Sequence, residues 1–185
     1  MPLIVLHCGP MADSAPHHLS HLALESLPDA GWQGQGNLPL QALPRLSAEL
    51  HQPQGQLFWS LALGQRAGAD GRAQLWLQAH AHAELPLLCQ RCLQPMVWPL
   101  QVQQDYRFVP TEAQAEAEDA EAEEDVLAWQ PTLDALSLLE DEALLALPAF
   151  PVHPQGTPGC GPQAAPADPN QTPHPFAALA ALRKG

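Results

Sequence analysis

A strict alternation that runs into a pair of cysteines constrains this chain more than any other feature. Leu75, Leu77, Ala79, Ala81, Ala83, Leu85 and Leu87 fall on one face of a period-2 segment, and Trp76, Gln78, His80, His82 and Glu84 fall on the other. Such a segment is a strand with one face buried. It leads into Leu88-Cys89-Gln90-Arg91-Cys92-Leu93, and a second alternation follows, with Trp98, Leu100, Val102, Gln104 and Tyr106 opposed to Val97, Pro99, Gln101, Gln103 and Asp105. The two strands predict a β-hairpin with the cysteines at its tip. Pro86 and Pro99 place these strands at an edge, or at an end close to the tip, because proline has no N–H to give to a ladder.

Around the hairpin, Gln56–Leu63 reads as a further strand, closed by a Gly- and Asp-rich turn region from Gly64 to Gly71. Leu40, Leu43, Leu46 and Leu50 are spaced as on a short helix. A longer helix is expected over Thr132–Leu147, with Leu133, Leu136, Leu139, Ala143 and Leu147 as its apolar stripe, Pro131 before it and Pro148 after it. Glu140, Asp141 and Glu142 fall partly outside that stripe. Consecutive helical residues point about 100° apart, so the three cannot converge on one ion and read as a solvated face.

Residues 1–36, rich in Pro and Gly and carrying His17, His18 and His21, are expected as a flexible N-terminal extension. Residues 37–150 form the core domain, with an acidic linker at about 111–126. Between Glu112 and Asp125 lie eight carboxylates and no cation, and like charges three and four apart oppose a helix. Residues 151–185 form a Pro-rich tail. Nine prolines between Pro148 and Pro175 forbid regular structure, and Phe176–Lys184 then supplies a small apolar motif with a basic end, suited to docking. The fold class expected is α+β: an antiparallel β-sheet with a cysteine-tipped hairpin, one or two packed helices, and disordered acidic and Pro-rich segments.

The net charge of −13, from 7 Lys+Arg against 20 Asp+Glu, argues against strong generic affinity for nucleic acid. The acid is concentrated in one segment, so a local RNA contact stays open. No apolar run is long enough to cross a bilayer, and the start lacks the basic region and apolar length of a signal peptide. A cytoplasmic location is therefore expected, where thiols stay reduced.

Reduced thiols at this spacing suit a metal. A structural zinc site needs four ligands, and Cys89 and Cys92 supply two. His153 and Cys160, at the ends of a Pro/Gly stretch able to fold back, are candidates for the rest; His80 and His82, sharing one face of the entering strand, are the alternative. Redox use of the pair needs a strand-to-helix setting that the pattern does not show. A purely structural thiol pair is the remaining reading. A Gly-rich phosphate loop, a Gly-x-Ser-x-Gly elbow and a His-Glu-x-x-His helix are all missing.

Three blocks carry a resemblance. They are Cys89-Gln90-Arg91-Cys92-Leu93 with the strand before it; Leu138-Leu139-Glu140-Asp141-Glu142-Ala143-Leu144-Leu145-Ala146-Leu147-Pro148 running into Pro151-Val152-His153 and Cys160; and Pro175-Phe176-Ala177-Ala178-Leu179-Ala180-Ala181-Leu182-Arg183-Lys184. In order and spacing the chain resembles the YceD-like family of bacterial large-ribosomal-RNA-subunit accumulation proteins over roughly residues 38–185. The first 36 residues do not match, and the acidic run looks like a lineage-specific expansion.

The resemblance implies a non-enzymatic factor in ribosome biogenesis, needed for normal accumulation of large-subunit (23S) ribosomal RNA. It groups Cys89, Cys92, His153 and Cys160 as one site, with zinc as the ion. The implied partners are a large-subunit precursor, ribosomal RNA, or a basic ribosomal or processing protein, with no membrane and no small-molecule substrate. Arg91, between the thiols, is the candidate phosphate contact; Phe176, Leu179, Arg183 and Lys184 are the candidate docking residues. An acidic adaptor or chaperone-like protein for a basic client is the competing reading, and a thiol oxidoreductase the third.

Overall fold

The computed structural model describes residues 19–26, 31–68 and 71–161. Residues 1–152 fall into one unit and residues 153–185 into another. The first unit is α+β. Its strands are β1 (Leu22–Ala23), β2 (Trp32–Pro39), β3 (Gln56–Ala67), β4 (Ala73–Leu88), β5 (Pro95–Val109), β6 (Asp125–Ala128) and β7 (Thr132–Leu133). The helices that lie wholly among its described residues are α1 (Pro44–Glu49), α2 (Glu112–Asp119) and α3 (Ala135–Leu145). The main sheet has the order β2-β3-β4-β5-β6, and β1 pairs with β7 separately.

The alternation in β4 sets the sheet's two faces. Leu77, Ala79, Ala81, Ala83, Leu85 and Leu87 are buried, and His80, His82 and Glu84 are exposed. Antiparallel pairing continues the inward face through Leu57 and Leu61 of β3 and through Leu100, Val102 and Tyr106 of β5. Leu40, Leu43 and Leu46 from the α1 region and Leu139 from α3 complete this core, all without solvent exposure. Both hairpin prolines pair across the hairpin, Pro86 with Val97 and Pro99 with Glu84, and neither is paired with a strand on its other side. Pro86 lies past Ala83, the last β4 residue paired with β3, and Pro99 lies before Tyr106, where pairing of β5 with β6 begins.

Three elements differ from the sequence expectation. Strand β2 starts at Trp32, inside the stretch expected to be flexible, and its Gly34 serves the packing of two indoles. A Cβ on Gly34 would lie 2.6 Å from the Trp32 ring and 3.4 Å from that of Trp59. The longer helix begins at Ala135, since the Asp134 carboxylate accepts the Ser137 N–H at 2.9 Å and caps it there, leaving Thr132 and Leu133 to pair as β7.

The third difference is the acidic segment, which folds. Strands β5 and β6 run parallel, Tyr106 opposite Asp125 and Phe108 opposite Leu127. A parallel pair needs a crossover, and the acidic segment supplies it as α2. Thr111 caps α2 by accepting the Gln114 N–H at 3.3 Å, and Ala115 packs with Val109 and Val126. Like-charge repulsion is relieved by Arg107, which is buried and donates to Glu118 at 2.5 Å and to Glu124 at 2.6 Å. Asp119 is used as well, accepting the Val126 N–H at 2.9 Å.

Candidate metal centre

The cysteines sit on the connection from β4 to β5. The Cys89 N–H donates to the Gln94 carbonyl at 3.0 Å, and the Leu93 N–H donates back to the Cys89 carbonyl at 2.8 Å. Closing the turn this way puts Leu93 at φ +58, a left-handed conformation that a branched side chain adopts only under local constraint. The Gln90 N–H donates to the Pro151 carbonyl at 2.8 Å, tying the tip to the end of the first unit.

Two consecutive turns shape the segment from His153 to Cys160. The Pro154 carbonyl accepts the Thr157 N–H at 3.3 Å and the Thr157 hydroxyl at 2.9 Å, and the Thr157 carbonyl accepts the Cys160 N–H at 3.1 Å. Gly156 (φ +85) and Gly159 (φ +78) occupy the third position of these turns, which requires positive φ in the type II form, and Pro158 precedes Gly159 as that form prefers.

One ligand atom from each of Cys89, Cys92, His153 and Cys160 lies within 4.8 Å of all the others. Cys89 and Cys160 are buried and the other two half-buried. Among the described residues, no disulfide links Cys89, Cys92 and Cys160 to one another. A tetrahedral ion with bonds of ~2.3 Å to sulfur spaces its ligands about 3.8 Å apart, so small side-chain movements would close this set on an ion. Three thiols and an imidazole are also the donors that a soft or borderline cation takes. The group can hold a metal ion.

The alternative ligands lie elsewhere. His82 stacks on Phe58 on the outer face of the sheet, and His80 shares that face two residues along β4. Arg91 is exposed at the tip. Phe176, Leu179, Arg183 and Lys184 lie outside the described residues.

A family model described as the large ribosomal RNA subunit accumulation protein YceD matches residues 77–183, more than half of the chain. The chain belongs to the YceD family. The match takes in β4 from Leu77 onward, the cysteine tip, α3 and both late ligands. The name of the YceD family connects the chain with accumulation of large-subunit ribosomal RNA. No solved structure matches the chain. Among the described residues, no helix is long and apolar enough to cross a membrane.

In this YceD chain the acidic triplet of α3 is no solvated face. Glu140 is buried, and its Oε1 accepts the backbone N–H groups of Arg45 and Leu46 at 2.7 and 3.1 Å while Oε2 accepts Arg45 Nε at 2.9 Å. Asp141 pairs with the same guanidinium, and Glu142 accepts the Tyr106 hydroxyl at 2.8 Å. Spacing held the signal for Glu140, which lies four residues after Leu136 and three before Ala143, in the apolar stripe itself.

Proposed function

We propose that this protein is a non-enzymatic assembly factor for the large ribosomal subunit, supporting accumulation and processing of 23S ribosomal RNA. The family match carries this reading. In it, Cys89, Cys92, His153 and Cys160 bind one zinc ion. A site closed by four protein ligands leaves no open position for substrate or water, so the ion shapes the hairpin tip and catalyses nothing. The protein works in the cytoplasm, where the thiols are available as ligands.

Contact with the precursor particle is made by Arg91 at the tip and by Phe176, Leu179, Arg183 and Lys184 near the C-terminus. The partner is ribosomal RNA or a basic ribosomal or processing protein. The exposed carboxylates Glu112, Glu116, Glu121 and Glu123 around α2 favour a basic protein near that end, and they also support the second reading, an acidic adaptor for a basic client.

The test is the ratio of 23S to 16S ribosomal RNA in cells that lack the protein. A fall in 23S, restored by the wild-type chain and not by a Cys89→Ser, Cys92→Ser double variant, is the expected result. An unchanged ratio rules out the assembly role and leaves the adaptor reading.

A further inference from the structure

The outer face of the sheet, opposite the packed core, holds two consecutive cross-strand rows of one chemical kind. Register places Asn37, Phe58, His82 and Gln101 side by side across β2, β3, β4 and β5, and Gln35, Ser60, His80 and Gln103 side by side in the next row. All are exposed except half-buried Ser60. Phe58 and His82 already lie parallel, with ring centroids 5.1 Å apart and planes at 14°, and 44% of Phe58 faces solvent.

From these rows we infer a binding platform for single-stranded RNA, with bases stacking on Phe58 and His82. Strand spacing makes the platform about 14 Å wide, with the two rows about 7 Å apart, enough for two or three splayed bases. Side-chain amides and imidazoles flank the rings, and both can donate to and accept from base edges and ribose hydroxyls. Charge supports the same occupant. The two rows carry no carboxylate in a chain with 20 Asp+Glu. The nearest acids on this face bound the strip: Glu84 on one side, and on the other Asp105, which is engaged by Arg66 at 3.0 Å and by Gln78 at 3.2 Å. Phosphates can therefore approach these rows without meeting the acid that dominates the rest of the chain. A basic protein partner would choose the acidic surface around α2 instead.

The inference deepens the assembly role and rests on it for the source of the RNA. The test is fluorescence anisotropy of a labelled oligouridine of about ten nucleotides, with the full chain at low salt. Binding by the wild type, weakened about ten-fold or more by Phe58→Leu, is expected. The exposed-site variant His82→Thr should weaken it several-fold in the same direction, and both variants should keep the wild-type circular dichroism and thermal midpoint. A duplex of the same length should compete poorly. Absence of binding by the wild type, equal binding by both variants, or binding lost only in Arg91→Ala would overturn the platform. The 23S measurement stays independent: a fall in 23S without oligonucleotide binding removes the platform alone, and an unchanged 23S removes the assembly role.

Discussion

Glu140 ties two distant parts of the first unit together with one carboxylate. Helix α1 begins with Pro44 and has no side-chain cap of its own, so its first free N–H groups depend on Glu140 from α3. Replacing Glu140 with Ala leaves both donors without that acceptor and should cost about 2 kcal/mol from the lost caps, measured as the shift in urea unfolding free energy. Glu140→Gln, which keeps one oxygen in place, should cost clearly less. Tyr106 offers a second measurement. Burial, and then the hydrogen bond to Glu142, push its phenol well above the ordinary tyrosine value. It is the sole tyrosine of the chain, so the pH-dependent change in absorbance near 295 nm reads it alone. A raised folded value means that stability is complete below the unfolded value of ~10 and is lost as pH rises above it. No phenolate signal should appear at pH 10 to 11 until the protein unfolds, and a normal titration curve in folded protein would contradict the burial.

The elements that sequence made legible are those whose pattern is set by one partner surface. Strand β4 repeats its alternation in its burial, and the cysteine pair falls between two strands as its flanks require. The acidic segment was not legible, because the charge that stabilises it comes from Arg107 on a neighbouring strand and not from within the segment. The same holds for β2, whose Gly34 reads as loop until the indole above it is seen. The crossover helix has a pH signature. Arg107 holds the carboxyls of both Glu118 and Glu124 below the usual range. Their contribution is therefore present above the unfolded value near 4.5 and is lost as pH falls through the lower folded values. Glu124→Gln should lower the thermal midpoint at pH 7, and the difference from wild type should shrink towards pH 3. A difference that stays constant with pH would show that the Arg107 pairs do not stabilise the crossover.

On the scale of the whole molecule, ligands separated by more than sixty residues in sequence make the account specific. Cys89 and Cys92 announce half a site by spacing alone. The other half was legible only through the family pattern, since two turns shape the late segment and turns leave no periodic signal. The family match connects the whole chain with accumulation of large-subunit ribosomal RNA. The proposed role of the hairpin tip depends on the four ligands forming one centre. Elemental analysis of protein purified without added metal tests that most directly. One zinc per chain is expected, lost in Cys89→Ser and in Cys160→Ser alike, with a lower thermal midpoint in both, because metal binding at such a site contributes folding free energy. Folded wild-type protein with no bound metal, its cysteines all reactive towards a thiol reagent, would contradict the account.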